Sequence, residues 1–224
     1  KENTMFALVE SGSITKMLNS NRGITIGDNQ YPASIFTLWT ESERNAIGVY
    51  SVEIDSSNKK DEAWYNNTGI TYAYDSSAKK VKGTYGTAIA KAHADTLYTD
   101  DDVSKDVYPD DYTYASMRGK RRNTWVAGDV AIKGLKSLLI DQVKAEAQGE
   151  LSKTDWYVTR KADTDEAIPS SIATHRAAVR TKQASMETSI TNASDTPALQ
   201  TLFTYTTNSD TGAVTRPIGE IPKL

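Results

Sequence analysis

The sequence predicts an α+β fold: a small, mainly-β N-terminal domain of hairpins plus one short helix, followed by an α-helical C-terminal domain with an extended tail. Three features carry this reading. Short runs alternating apolar and polar residues, broken by turn dipeptides, fill the N-terminal part. Apolar spacings of three and four set in after residue 127. Between the two lies an abrupt shift from acidic to basic residues, which marks a boundary. The expected divisions are a mainly-β domain at 5–97, a charged linker or docking loop at 98–126, a helical domain at 127–203 and an extended tail at 204–224. Lys1 to Thr4 precede Met5 and are set aside as upstream sequence.

Met5 to Glu10 is β-prone, Ser11-Gly12 is a turn dipeptide, and Ser13 to Leu18 alternates, so residues 5–18 read as an opening hairpin. A short strand is expected at Ile24–Ile26 within an Asn- and Gly-rich loop. Thr40-Glu41-Ser42-Glu43 has capping-box form and starts a brief helix that Gly48 ends. Val49 to Asp55 is a strand whose Tyr50, Val52 and Ile54 should face the core. Trp64-Tyr65 opens another strand. Ile70 to Tyr74 and Lys80 to Tyr85 bracket Asp75-Ser76-Ser77-Ala78 as a second hairpin, and the alanines of 88–97 suggest a short helix.

In the second half, Ala131, Leu135, Leu138, Leu139, Val143 and Ala147 form one apolar stripe, predicting a helix over 127–148 that Gly128-Asp129 caps and Gly149 stops. Helices are expected near 154–163 and 169–193. Pro169 stands in the first turn of the latter, where its missing N–H would be unpaired anyway. Ile172, His175, Val179, Met186, Ile190 and Ala193 share one of its faces. Asp195-Thr196-Pro197 begins a last short helix. The tail has a Ser209-to-Gly212 turn and either returns as a hairpin or extends over a neighbour.

The chain of 224 residues has room for one large or two small domains with a real core. Its net charge of −3 argues against general nucleic-acid binding, which needs a basic footprint. No cysteine is present, so disulfides, Cys-ligated zinc and thiol nucleophiles are excluded. No apolar run approaches the length of a membrane span, and no signal peptide is expected. Twelve Tyr and four Trp against three Phe suit half-buried sheets and protein interfaces.

The candidate chemistry is thin. The Asp-rich run at 99–111 lacks the order of an EF-hand loop and reads as a solvated acidic loop rather than a cation site. The basic block Arg118 to Arg122, just downstream, suits a partner interface or intramolecular pairing. His93 and His175 stand in no zinc pattern, and no nucleophile elbow or phosphate-binding glycine loop occurs. Thr154 or Asp155 can cap a helix, and Trp156 can anchor that helix on its neighbour through buried area. Arg176 and Arg180, one turn apart, suit surface or interface pairing. No enzyme activity, cofactor or metal is expected.

The stretch from Leu151 to Arg180 is the most specific. Thr154-Asp155-Trp156 opens one helix, and His175-Arg176-Ala177-Ala178-Val179-Arg180 lies on the next, with 19 residues from Trp156 to His175. This arrangement resembles a small module of tailed-bacteriophage tail assembly chaperone or tail-fibre assembly proteins. There a Thr/Ser-Asp-Trp helix start precedes an aromatic-Arg-x-x-Leu-Arg helix at similar spacing. The likeness covers residues 130–193; His175 stands in the aromatic position and Val179 in that of the Leu. Asp155-Trp156-Tyr157-Val158-x-Arg160-Lys161, Ile168-Pro169 and Arg176 to Arg180 are also similar to structural proteins of marine tailed phages. The resemblance implies a homo-oligomeric structural component of the virion at the tail, fibre-attachment or adaptor region. Its partners would be other phage tail or virion proteins, with no nucleic acid and no membrane. The alternative it implies is a non-virion chaperone for tail or tail-fibre assembly. A weaker third reading is a glycan-binding host-recognition domain. Thr154, Asp155, Trp156, His175, Arg176 and Arg180 are the motif and candidate interface residues.

Overall fold

The computed structural model describes residues 5–18, 22–105 and 126–224 and divides the chain into two compact units, 1–89 and 90–224. The fold is α+β, as its sequence predicts, with a β-rich first unit and helices in the second.

The first unit holds β1 (Met5–Glu10), β2 (Ser13–Leu18), β3 (Ile24–Ile26), β4 (Asn29–Tyr31), α1 (Ile35–Leu38), α2 (Glu41–Ala46), β5 (Val49–Asp55), β6 (Tyr65–Asn66), β7 (Ile70–Asp75) and β8 (Lys80–Tyr85). Both hairpins form, β1–β2 around Ser11-Gly12 and β7–β8 around Asp75 to Lys80. They join in one sheet of order β2-β1-β5-β8-β7, antiparallel except for β5–β8. The parallel pair requires a long connection, which residues 56–79 supply. The sheet curls, bringing its edge strands β2 and β7 together.

Alternation along β1 sends Phe6 and Leu8 to one face and Ala7 and Val9 to the other. Phe6 and Leu8 pack with Leu18, Ile35, Phe36 and Val49, so α1 covers that side. Ala7, Val9 and Val81 line the concave side with Ile14, Tyr50, Val52, Tyr72 and Tyr74. Both faces of β5 are therefore covered, and Val49, not only the Tyr50–Val52–Ile54 face, reaches a core. Gly83 makes the curl possible: a Cβ there would stand 2.7 Å from Ile54 Cδ1 and 2.8 Å from Tyr72 Cε1. The capping box of α2 is formed, with Glu43 N–H donating to Thr40 Oγ1 and Thr40 N–H to Glu43 Oε2. Gly48 follows the helix at φ +80°, where a side chain would be strained.

β9 (Ile89–Ala90) stands at the division. The second unit continues with β10 (Thr96–Leu97), α3 (Asp100–Lys105), β11 (Val130–Ile132), α4 (Leu135–Ser152), α5 (Asp155–Thr164), α6 (Ser170–Asn192), α7 (Thr196–Phe203), β12 (Thr206–Thr207) and β13 (Val214–Thr215). Several expectations are corrected here. Residues 90–97 form no helix and belong to the second unit, because β10 pairs with β11 and the carbonyls of Ala92 and His93 accept from Leu135 and Lys136 N–H. The start of the expected linker is structured: Tyr98 is buried beside Ala131, and Thr99 caps α3 through reciprocal bonds with Asp102. Three aspartates in the first turn of α3 complement its dipole. Arg118 to Arg122, and the acidic run beyond residue 105, lie outside the described residues.

The helix expected over 127–148 is instead β11 followed by α4. Asp95 sets the α4 start, its carboxylate accepting from Gly134 N–H at 2.7 Å and Ser137 Oγ at 2.7 Å. Gly134 is required there, since a Cβ would stand 2.2 Å from Ala94 O. Gly149 does not stop α4; the position meets nothing within 4 Å, so it costs only its low helix propensity, about 1 kcal/mol. Leu138 is exposed, outside the buried stripe of Val143 and Ala147.

α4 and α6 run antiparallel. Lys136 Nζ reaches Thr191 O at one end, and Glu150 meets His175 at the other. Pro169 takes the N-cap position of α6, one residue earlier than expected. Asp195 caps α7 by accepting from Ala198 N–H at 2.8 Å. The tail returns as the β12–β13 hairpin and then packs back, burying Ile218 and Ile221.

Candidate functional site

The motif residues fall at the α4–α5 break and the facing turn of α6. Only Lys153 and Thr154 separate the two helices. Thr154 is 1% exposed, but its hydroxyl does not cap α5; it donates back to Leu151 O at 3.0 Å. The competitor is Arg176, 7% exposed. Its Nη1 donates to Leu151 O and Thr154 Oγ1, both at 2.7 Å, and lies 2.9 Å from Asp155 Oδ1. A guanidinium from α6 thus satisfies the carbonyl and hydroxyl that the helix break exposes.

One turn of α4 earlier, Glu150 is buried. It accepts from Lys153 Nζ at 2.6 Å and from Leu224 N–H at 2.7 Å. The Lys153 hydrogen bond holds this carboxyl below the ordinary glutamate range against the opposing cost of burial. The Leu224 amide and the charges of Lys153 and Lys223 add to the lowering. His175 Nε2 approaches Glu150 Oε1 to 3.3 Å without the alignment of a hydrogen bond, and that nitrogen is unpartnered. The arrangement ties α4, α6 and the last residues together at one place. Lys182 Nζ adds a second tie by donating to Ile218 O at 2.7 Å.

Trp156 is not the buried anchor its sequence suggests. It is 53% exposed, and α5 has no buried residue. Its ring stacks on Tyr157 at 4.0 Å between centroids, and Arg160 Cζ lies 4.7 Å from the Trp156 ring and 5.4 Å from that of Tyr157. Glu166 Oε1 holds Arg160 from the far side at 3.2 Å. The result is an aromatic–cation stack whose exposed member is Trp156, with Tyr157 and Arg160 half-buried behind it. Arg180 is exposed as well, with no hydrogen bond or ion pair among the described residues.

Of the six motif residues, then, Thr154, Asp155 and Arg176 meet. His175 joins Glu150 beside them, while Trp156 and Arg180 point away. The sequence reading missed Glu150, and took Tyr157 and Arg160 only as part of the longer similarity and not as site residues. Glu150 had a signal: it follows Val143 and Ala147 on the same helical stripe, so a carboxylate falls where an apolar side chain is due. Among the described residues no cluster of three potential metal ligands occurs, and no helix is long and apolar enough to cross a membrane. No protein family, curated protein or solved structure matches the chain.

Proposed function

We propose that this chain is a structural component of a tailed-phage virion, acting through protein–protein contacts at the tail, fibre-attachment or adaptor region. The observation that carries the reading is the division of labour within the motif. Thr154, Asp155 and Arg176 fix the start of α5, and that helix displays Trp156 on the outside, backed by the half-buried Tyr157 and Arg160. Tyr, Trp and Arg are the side chains most enriched at binding hot spots, because they combine large contact area with a polar handle. An exposed tryptophan pre-stacked on a half-buried tyrosine and arginine supports contact with another protein, including other copies of the chain in a homo-oligomer.

The test is quantitative proteomics of purified particles of the phage that encodes the chain. Presence at a fixed copy number is the expected result, and that number gives the symmetry of the ring or fibre it joins. Presence in the infected-cell lysate but not in particles would overturn the virion assignment and favour an assembly chaperone.

A further inference from the structure

The first unit carries a cleft that the motif-based reading does not use. It has a volume of about 550 Å³ and is lined by Glu41, Ser42, Asn45 and Ala46 of α2, Tyr50 of β5, and Ala78 and Lys79 of the β7–β8 turn. We propose that this cleft binds a neutral pyranose sugar. The inference is independent of the virion assignment and stands or falls separately from it.

Both walls are fixed before any ligand arrives. Thr40 and Glu43 lock the start of α2 through the capping box. On the other side, Asp75 Oδ1 accepts from Ser77 N–H at 3.0 Å and Ala78 N–H at 2.9 Å, and its carboxylate pairs with Lys82 at 2.9 Å. That turn presents Lys79 with φ +50°, in the left-handed region that few non-glycine residues adopt. Tyr50, between the walls, is braced from below by Tyr74, whose ring centroid is 4.6 Å away. Ala46 and Ala78 keep the space open, since any longer side chain would enter it.

Three of the polar groups are uncommitted. Glu41, Ser42 and Lys79 side chains make no hydrogen bond or ion pair among the described residues, although Glu41 and Lys79 carry opposite charges on opposite walls. Their charges cancel, which disfavours a strongly charged ligand. What remains is a set of mixed function: Lys79 donates, Glu41 accepts and Ser42 can do either, while the Tyr50 hydroxyl is shared with that of Tyr74 and leaves the ring as the aromatic element. Sugar hydroxyls are themselves both donors and acceptors, and the C–H face of a pyranose suits an aromatic side chain. A few convergent polar groups around an aromatic surface is the general form of a small-molecule site.

The test is titration of the full chain with methyl β-galactopyranoside, methyl α-glucopyranoside and N-acetylglucosamine, followed by backbone amide chemical shifts. At least one sugar should shift the amides of α2, Tyr50 and residues 78–79, with a Kd of about 1–10 mM, the range of a single-ring contact. Glu41→Gln and Lys79→Ala, both at exposed positions, should each weaken that binding about 2- to 10-fold, the loss of one hydrogen bond. Glycine and inorganic phosphate serve as charged comparators. The proposal is overturned if none of the sugars shifts these amides, if the shifts map elsewhere, if both variants bind like the parent, or if glycine or phosphate shifts the same amides as strongly.

Discussion

Replacing Arg176 by alanine tests the junction directly. Nη1 has two N–H groups for three acceptors, Leu151 O, Thr154 Oγ1 and Asp155 Oδ1, so two full hydrogen bonds set the ceiling. A hydrogen bond to a charged group is worth about 1.5–3 kcal/mol. The ion pair adds little, because the Asp155 side chain is 51% exposed and screened by water. Some of the loss is recovered, since Thr154 Oγ1 still donates to Leu151 O. The net cost of Arg176→Ala is therefore about 2–4 kcal/mol, and that of Thr154→Ala about 1–2 kcal/mol. The two share a hydrogen bond, so the double mutant should be less destabilised than the sum, by about 1–2 kcal/mol. Urea unfolding followed by far-UV circular dichroism measures all three variants, since the long helices lie in this unit. Costs that add to within about 0.5 kcal/mol would refute the shared hydrogen bond, because only independent sites behave that way. A single-mutant cost for Arg176→Ala near zero would refute the junction itself.

Trp156→Ala should lower stability by no more than about 1 kcal/mol, because half the side chain is already in water, while reducing self-association or partner capture; sedimentation velocity beside a urea melt separates the two, and a loss near the 3–5 kcal/mol of a buried tryptophan would contradict the exposed ring. Gly83→Val should destabilise the curled sheet by about 1–3 kcal/mol, since its branches must displace Ile54 and Tyr72; an unchanged melting midpoint would mean that the sheet is not packed across Gly83. The clasp at Glu150 should depend on pH in a definite sense. Its folded pKa is depressed, so its contribution is present above the ordinary glutamate value of 4.5 and is lost as the pH falls through the lower folded value. Amide exchange at Leu224 should accelerate in that acid window and become insensitive to pH beyond the intrinsic rate in Glu150→Gln, and equal acid profiles for the two proteins would exclude the carboxylate as the clasp.

What was legible in the sequence is what is encoded locally. Ser11-Gly12 announces the first hairpin, Thr40 and Glu43 write their own capping box, and Asp195 with Pro197 starts α7. These signals need no partner beyond a few residues. The larger misreadings involve distant ones. Alanines at 88–97 favour a helix, but Asp95 reaches 39 residues ahead to cap α4, and the neighbouring carbonyls are taken by Leu135 and Lys136. Once those groups are used, an isolated helix of that length has too little to hold it. Ala131 continues the apolar spacing of α4, yet it packs against Tyr98 from a strand. The parallel pairing of β5 with β8 was invisible for the same reason, because nothing in either strand names its partner.

Trp156 is the most instructive of these cases. A tryptophan in the first turn of a helix ordinarily reads as an anchor, because its apolar area is the largest any side chain can bury. Here the anchoring is done by polar atoms. Arg176 crosses from α6 to the helix break and satisfies the Leu151 carbonyl and the Thr154 hydroxyl there. Freed from packing, Trp156 turns to Tyr157 and Arg160 on its own helix, a local solution that covers part of each ring while keeping Trp156 accessible. A stable core would have gained more by burying it. Instead α5 has no buried residue and is positioned by an arginine from another helix, which fits the contact role proposed for it. The stability lost by leaving the ring exposed is available again when a partner covers it, which is why the association of Trp156→Ala is more informative than its melting curve.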